Sequence, residues 1–107
     1  GSEALRTAPM AILVCCNTRL AGLEGGNWPQ ELGACVQNML LQAYAEGLGT
    51  AWIGVYPKMH FVHEVKKALH LSSEFVPFAV VALGNAARET DTVTERYDPL
   101  KVHFISR

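Results

Sequence analysis

A chain of 107 residues has room for one modest core and at most one domain. Half of its residues are hydrophobic, 18% are charged, and the formal net charge is -1. That near-neutral balance supplies little long-range field for a nucleic-acid partner, and the apolar content excludes a fully disordered chain. No apolar run approaches the roughly 18 residues a membrane-spanning helix needs, so no membrane span is expected. So few charges beside so much apolar surface imply that part of that surface is covered by a partner subunit.

The three cysteines, Cys15, Cys16 and Cys35, are too few for a disulfide framework and lack the paired spacing of a zinc site. They read as reduced, mostly buried thiols. With no signal peptide, they fit a cytoplasmic protein.

Met10 to Cys16 is a continuous apolar run between Pro9 and Asn17, and predicts a buried strand. In such a strand Cys15 and Cys16 point to opposite faces. Asn17 to Gln30 is rich in glycine and predicts a long loop with Trp28 as its large aromatic residue. Glu31 to Glu46 predicts the main helix, because Leu32, Cys35, Val36, Met39, Leu40 and Ala43 recur at helical spacing. Leu41 and Tyr44 widen the stripe, so much of the helix circumference is expected to be covered. Gly47 suits the left-handed residue that ends a helix, with Leu48 packing back on the last turn.

Thr50 to Val55 predicts a second strand, His60 to Leu69 a second helix, and Pro77 to Leu83 a third strand closed by Gly84. Strands alternating with helices in this order predict a mostly parallel sheet covered by helices. Asn85 to Arg107 is polar through Glu95, and Val102 to Ile105 can form one more short strand. Residues 85–107 therefore read as an extension that crosses to a partner subunit.

No local motif is decisive for chemistry. The chain lacks a glycine-rich phosphate loop and a nucleophile elbow. His60, His63 and Glu64 read as solvated helix residues, and no metal is expected. Gly54, at a strand end, is more informative: without a Cβ a planar ligand can approach the backbone closely. Sheet ligands favour the carboxyl ends of strands. Arg96 is the best phosphate candidate, since guanidinium offers a fork of donors.

These residues also carry a resemblance. Ala8-Pro9 with the following strand, Cys35-Val36-Gln37-Asn38-Met39-Leu40-Leu41, Ala45-Glu46-Gly47-Leu48-Gly49-Thr50, Trp52-Ile53-Gly54-Val55-Tyr56-Pro57, Pro77-Phe78, Ala82-Leu83-Gly84 and Arg96-Tyr97-Asp98-Pro99 with Val102-His103 resemble the carboxyl-terminal part of the FMN-dependent nitroreductase family. The series runs from Ala8 to His103. The resemblance implies an α+β three-layer sandwich, a mixed sheet with helices on both faces, in a homodimer with FMN at the subunit interface. NADH or NADPH would reduce the flavin, which would pass electrons to a nitroaromatic, quinone or similar small-molecule acceptor in a ping-pong cycle.

The resemblance further implies that backbone amides of Ile53, Gly54 and Val55 approach the flavin ring. Arg96 matches the second member of the family's basic pair for the FMN phosphate, and Thr94 takes the place where lysine is common. Trp28 and Pro29 fall in the variable loop that borders the substrate opening in the family. The family's opening helix, with its Arg, Ser and Arg, and its Asn-x-Gln-Pro-Trp segment have no match, so the expected sandwich is truncated at the N-terminus. Residues 1–107 then form a single, partial domain. A fragment, a shortened member, and a chain completed by a complementary polypeptide all fit. A catalytically inactive binding or structural module on the same fold is the alternative function, and a flavin-independent regulatory domain is a third.

Overall fold

The computed structural model describes residues 2–21, 25–85 and 98–103. In chain order these form α1 (Ser2–Thr7), β1 (Met10–Asn17), α2 (Thr18–Ala21), a 3₁₀ turn (Gly25–Asn27), α3 (Trp28–Ala45), β2 (Leu48–Gly54), α4 (Met59–Ala68), β3 (Phe75–Asn85) and a second 3₁₀ turn (Pro99–Lys101). The strands form a three-stranded sheet in the order β1-β3-β2.

Both pairings are antiparallel, with Met10 opposite Leu83 at one end of β1–β3 and Gly54 opposite Ala79 at one end of β2–β3. This overturns the mostly parallel sheet. The last strand enters between the first two and runs against both, so neither crossover links hydrogen-bonded parallel neighbours. Among the described residues no parallel pair completes a mixed sheet.

Directly paired residues share a face. Ile12, Val81 and Trp52 therefore lie on one face, and Ala11, Ala82 and Ala51 on the other. Helix α3 covers the first, where Val36 joins Val14, Ala79 and Val81 in the buried core with Leu32, Met39, Leu40, Phe78 and Leu83 packed around it. On the second, Ala4 and Thr7 of α1 stand beside Ala51 and Ala82. Helix α4 packs against β3 and buries Val62. The three-layer α+β sandwich with helices on both faces is thus formed.

Helix α3 begins at Trp28, three residues before the expected start, because Pro29 sits in its first turn. Proline is favourable there: its fixed φ suits the helix, and that turn has no intrahelical use for its N–H. The expected loop is further shortened by α2, whose Arg19 and Leu20 amides donate to the Asn17 side chain. The far end follows expectation, since Gly47 has a φ of +79°. Leu48 opens β2 and lines the same groove as Gln42, Ala43 and Glu46 at the end of α3. After α4, the left-handed position is taken by His70, with a φ of 53°. The Leu71 amide then donates to the Lys66 carbonyl and closes the helix end.

Helix α3 differs from its expected burial. Leu41 and Tyr44 are 57% and 59% exposed, and Cys35 is exposed as well. The described residues leave both flanks of the stripe open to solvent. In the tail, Val102 and His103 have no strand structure, so the expected strand is not formed at its described start; residues 104 and 105 lie outside the described residues.

Candidate functional site

The site is built where β2 ends. Gly54 is the last residue of the strand and pairs with Ala79 of β3. The chain then turns through Val55, Tyr56, Pro57 and Lys58, and the Lys58 amide closes the turn by donating to the Val55 carbonyl at 3.0 Å. Helix α4 starts at the next residue.

The backbone amides of this segment are not equivalent. Val55 and Tyr56 both donate to the Phe78 carbonyl, at 3.0 and 3.1 Å. Amides along a strand point alternately to its two sides. With Val55 turned toward β3, Ile53 also points toward β3, opposite Val80, and Gly54 points away from it. β2 is an edge strand, so among the described residues no strand takes up that outward direction. A Cβ built on Gly54 meets nothing within 4 Å. Of the three amides singled out in the sequence, Gly54 supplies the outward donor. Val55, buried to 4% exposure, and half-buried Ile53 hold it in place.

A group of rings supports the turn. Trp28, the first residue of α3, packs on Tyr56 with ring centroids 4.7 Å apart and on Phe78 at 6.2 Å. Trp52 lies 6.4 Å from Phe78 and shares its sheet face with Gly54. Phe78 occupies a bulge: Ala79 pairs with Val14 and Pro77 with Cys15, leaving Phe78 without a β1 partner. The bulge turns its ring to Gly33 of α3, where a Cβ would touch it at 4.0 Å. Sequence reasoning placed Trp28 in a loop and gave Tyr56 no supporting role. The signal was present in Pro29, which marks the helix start beside Trp28.

Arg96 and Thr94, the phosphate candidates, lie outside the described residues. The His60 ring packs on Phe61, tilted, with centroids 4.1 Å apart. The described residues hold no group of three metal-ligating side chains, and no described helix is long and apolar enough to cross a membrane. A groove of about 650 Å³ between α3 and the sheet lies at the Leu48 end of β2, away from Gly54, and is lined by Ile12, Met39, Val81 and Leu83.

Of the thiols, Cys16 is buried and Cys15 half-buried in β1, whereas Cys35 is exposed, against the expected burial. Cys15 and Cys16 point to opposite faces of β1, and burial pushes both pKa values up, reinforced by each one's acidic neighbour, Cys16 for the former and Glu31 for the latter. Both are therefore protonated, poor nucleophiles at neutral pH.

The geometry is an outward backbone donor beside a Cβ-free strand end, on an α+β sandwich. Residues 1–85 match the Nitroreductase family, and the chain belongs to it. A relative from Methanothermobacter thermautotrophicus, named "Putative NADH dehydrogenase/NAD(P)H nitroreductase", is 35% identical over 94% of this chain and 51% of its own length. The chain thus spans about half the length of that curated relative. A solved structure from Clostridium acetobutylicum, "Putative NADH Oxidase", superposes with a TM-score of 0.84 at 29% identity, over 92% of this chain and 59% of that one. A nitroreductase structure from Desulfovibrio desulfuricans, described as "putative" and in complex with FMN, gives a TM-score of 0.71 at 28% identity, over 96% of this chain and 59% of that one.

Proposed function

We propose that this chain is the carboxyl-terminal part of an FMN-dependent NAD(P)H oxidoreductase that serves a nitroaromatic, quinone or similar small-molecule acceptor in a ping-pong cycle. The observation that carries the reading is the Gly54 N–H, which faces outward from a strand with no outer neighbour among the described residues, beside a Cβ position that is clear to 4 Å. The FMN complex of the Desulfovibrio desulfuricans relative supports it. FMN, when bound, supplies two-electron acceptance from NADH or NADPH and delivery to the acceptor.

The residues fit a flavin through complementary tasks. The Gly54 amide would donate to the edge of the ring where negative charge builds on reduction, and a fixed donor there would favour the reduced form. Ile53 and Val55 keep that donor rigid because their own amides face β3. Arg96 would offer its guanidinium to the phosphate, and Thr94 would add a hydroxyl in place of a second cation. The open side of α3 and the open edge at Gly54 support closure of the site by a second copy in a homodimer, or by a complementary chain.

Absorbance tests this directly. The purified chain, incubated with FMN and freed of excess, should retain a yellow flavin spectrum that NADH or NADPH bleaches. Gly54→Pro removes the outward N–H without touching the ladder, because proline is tolerated where a strand amide faces away from its neighbour. That variant should keep its fold and lose flavin or its reduction. A colourless wild-type chain would favour the inactive module instead, and equal occupancy and equal bleaching in Gly54→Pro would refute the role of the Gly54 amide.

A further inference from the structure

Trp28 stands at the junction of two elements that have no covalent link near it. On one side it is the first residue of α3, held by Pro29, whose ring fixes φ in the first helical turn. On the other it packs on Tyr56, 4.7 Å away between centroids, inside the turn that follows Gly54. Tyr56 and Val55 share one acceptor, the Phe78 carbonyl, and the Phe78 ring is itself 6.2 Å from Trp28. Two amides on one carbonyl use both of its lone pairs, so a small shift of the turn weakens both bonds together. Among the described residues no strand flanks the outer side of β2, so the turn is held from the β3 side and by its own Lys58–Val55 bond. Further restraint comes through Trp28, Tyr56 and Phe78.

We propose that Trp28 is the positioning residue of the site: its tilted packing on Tyr56 locks the paired Val55 and Tyr56 amides onto Phe78 and so fixes the direction of the Gly54 N–H. The consequence for flavin rests on the function proposed above; the consequence for the turn does not. Trp28 touches the acting amide through the turn rather than directly. Aromatic pairs of this geometry hold orientation as well as area, so a second ring at position 28 should recover most of the effect and a methyl should not.

Amide hydrogen exchange on the full chain separates this role from a general loss of stability. In Trp28→Ala, exchange at Val55 and Tyr56 should quicken at least tenfold relative to Val80 and Val81 in the middle of β3. In Trp28→Phe it should return to within about threefold of the original protein. A uniform change across all four amides, or none at Val55 and Tyr56, would overturn the proposal. FMN titration of the same proteins provides the second readout. The dissociation constant should rise about tenfold in Trp28→Ala and recover in Trp28→Phe. Failure of the original chain to take up FMN would remove the flavin reading while leaving the exchange result to decide the positioning role. Equal FMN affinity in Trp28→Ala and the original chain would remove the link from the turn to the site.

Discussion

Two glycines near the ends of neighbouring strands show how differently one sheet treats the same residue. Gly84 lies in the central strand β3, where an added Cβ would sit 3.2 Å from the Pro9 side chain. Gly54 ends the edge strand β2, where an added Cβ would meet nothing within 4 Å. The central strand needs its glycine because the chain packs against it. Among the described residues the edge strand shows no such need at Gly54. The same contrast runs along the strands. β3 buries Pro77, Ala79, Val81 and Ala82, whereas β2 contributes no buried residue and exposes Trp52 to 42%.

That comparison can be pushed from its strong end to its weak one. Val81 is fully buried between β1, β2 and α3, so Val81→Ala loses two methyl groups and leaves a void. It should lower the unfolding free energy by about 2 to 3 kcal/mol in urea titration. Gly84→Ala should cost about 1 kcal/mol in the same assay, since Pro9 belongs to a short connection that can shift by a few tenths of an ångström. Gly54→Ala should change stability by no more than about 0.5 kcal/mol, yet reduce flavin uptake, because the methyl enters the space the ring would use. Should Gly54→Ala prove the more destabilising of the two glycine variants, the contrast between the strands would be lost.

Much of this arrangement could be read from local pattern. Continuous apolar runs marked β1 and β3, helical spacing marked α3 and α4, and Gly47 marked the end of α3. Pairing could not be read that way. Direction in a sheet depends on which strands become neighbours, and here the last strand separates the first two. The start of α3 was obscured because Gly25, Gly26, Asn27 and Pro29 are turn formers by composition, although Pro29 serves the helix. The exposed Leu41 and Tyr44 show a further boundary. Periodicity reveals that a face is apolar, but not which polypeptide covers it.

The candidate site divides in the same way. The strand-end position of Gly54 and its missing Cβ were legible in the sequence, and the structure places it there with the Cβ position clear. The inequality of Ile53, Gly54 and Val55 was not legible, since it follows from the phase of the β2–β3 ladder and from the Phe78 carbonyl at the bulge. Trp28 and Tyr56 meet only after α3 folds back across the sheet, a contact between residues far apart in the chain.

The central claim is that one amide, Gly54, is left facing outward between two that are held. Residue-resolved hydrogen exchange of the unliganded chain tests it most directly. The structure predicts that the Gly54 amide exchanges at close to the rate of an unstructured peptide while Ile53 and Val55 are protected at least a hundredfold. Protection of Gly54 equal to that of its two neighbours would contradict the account.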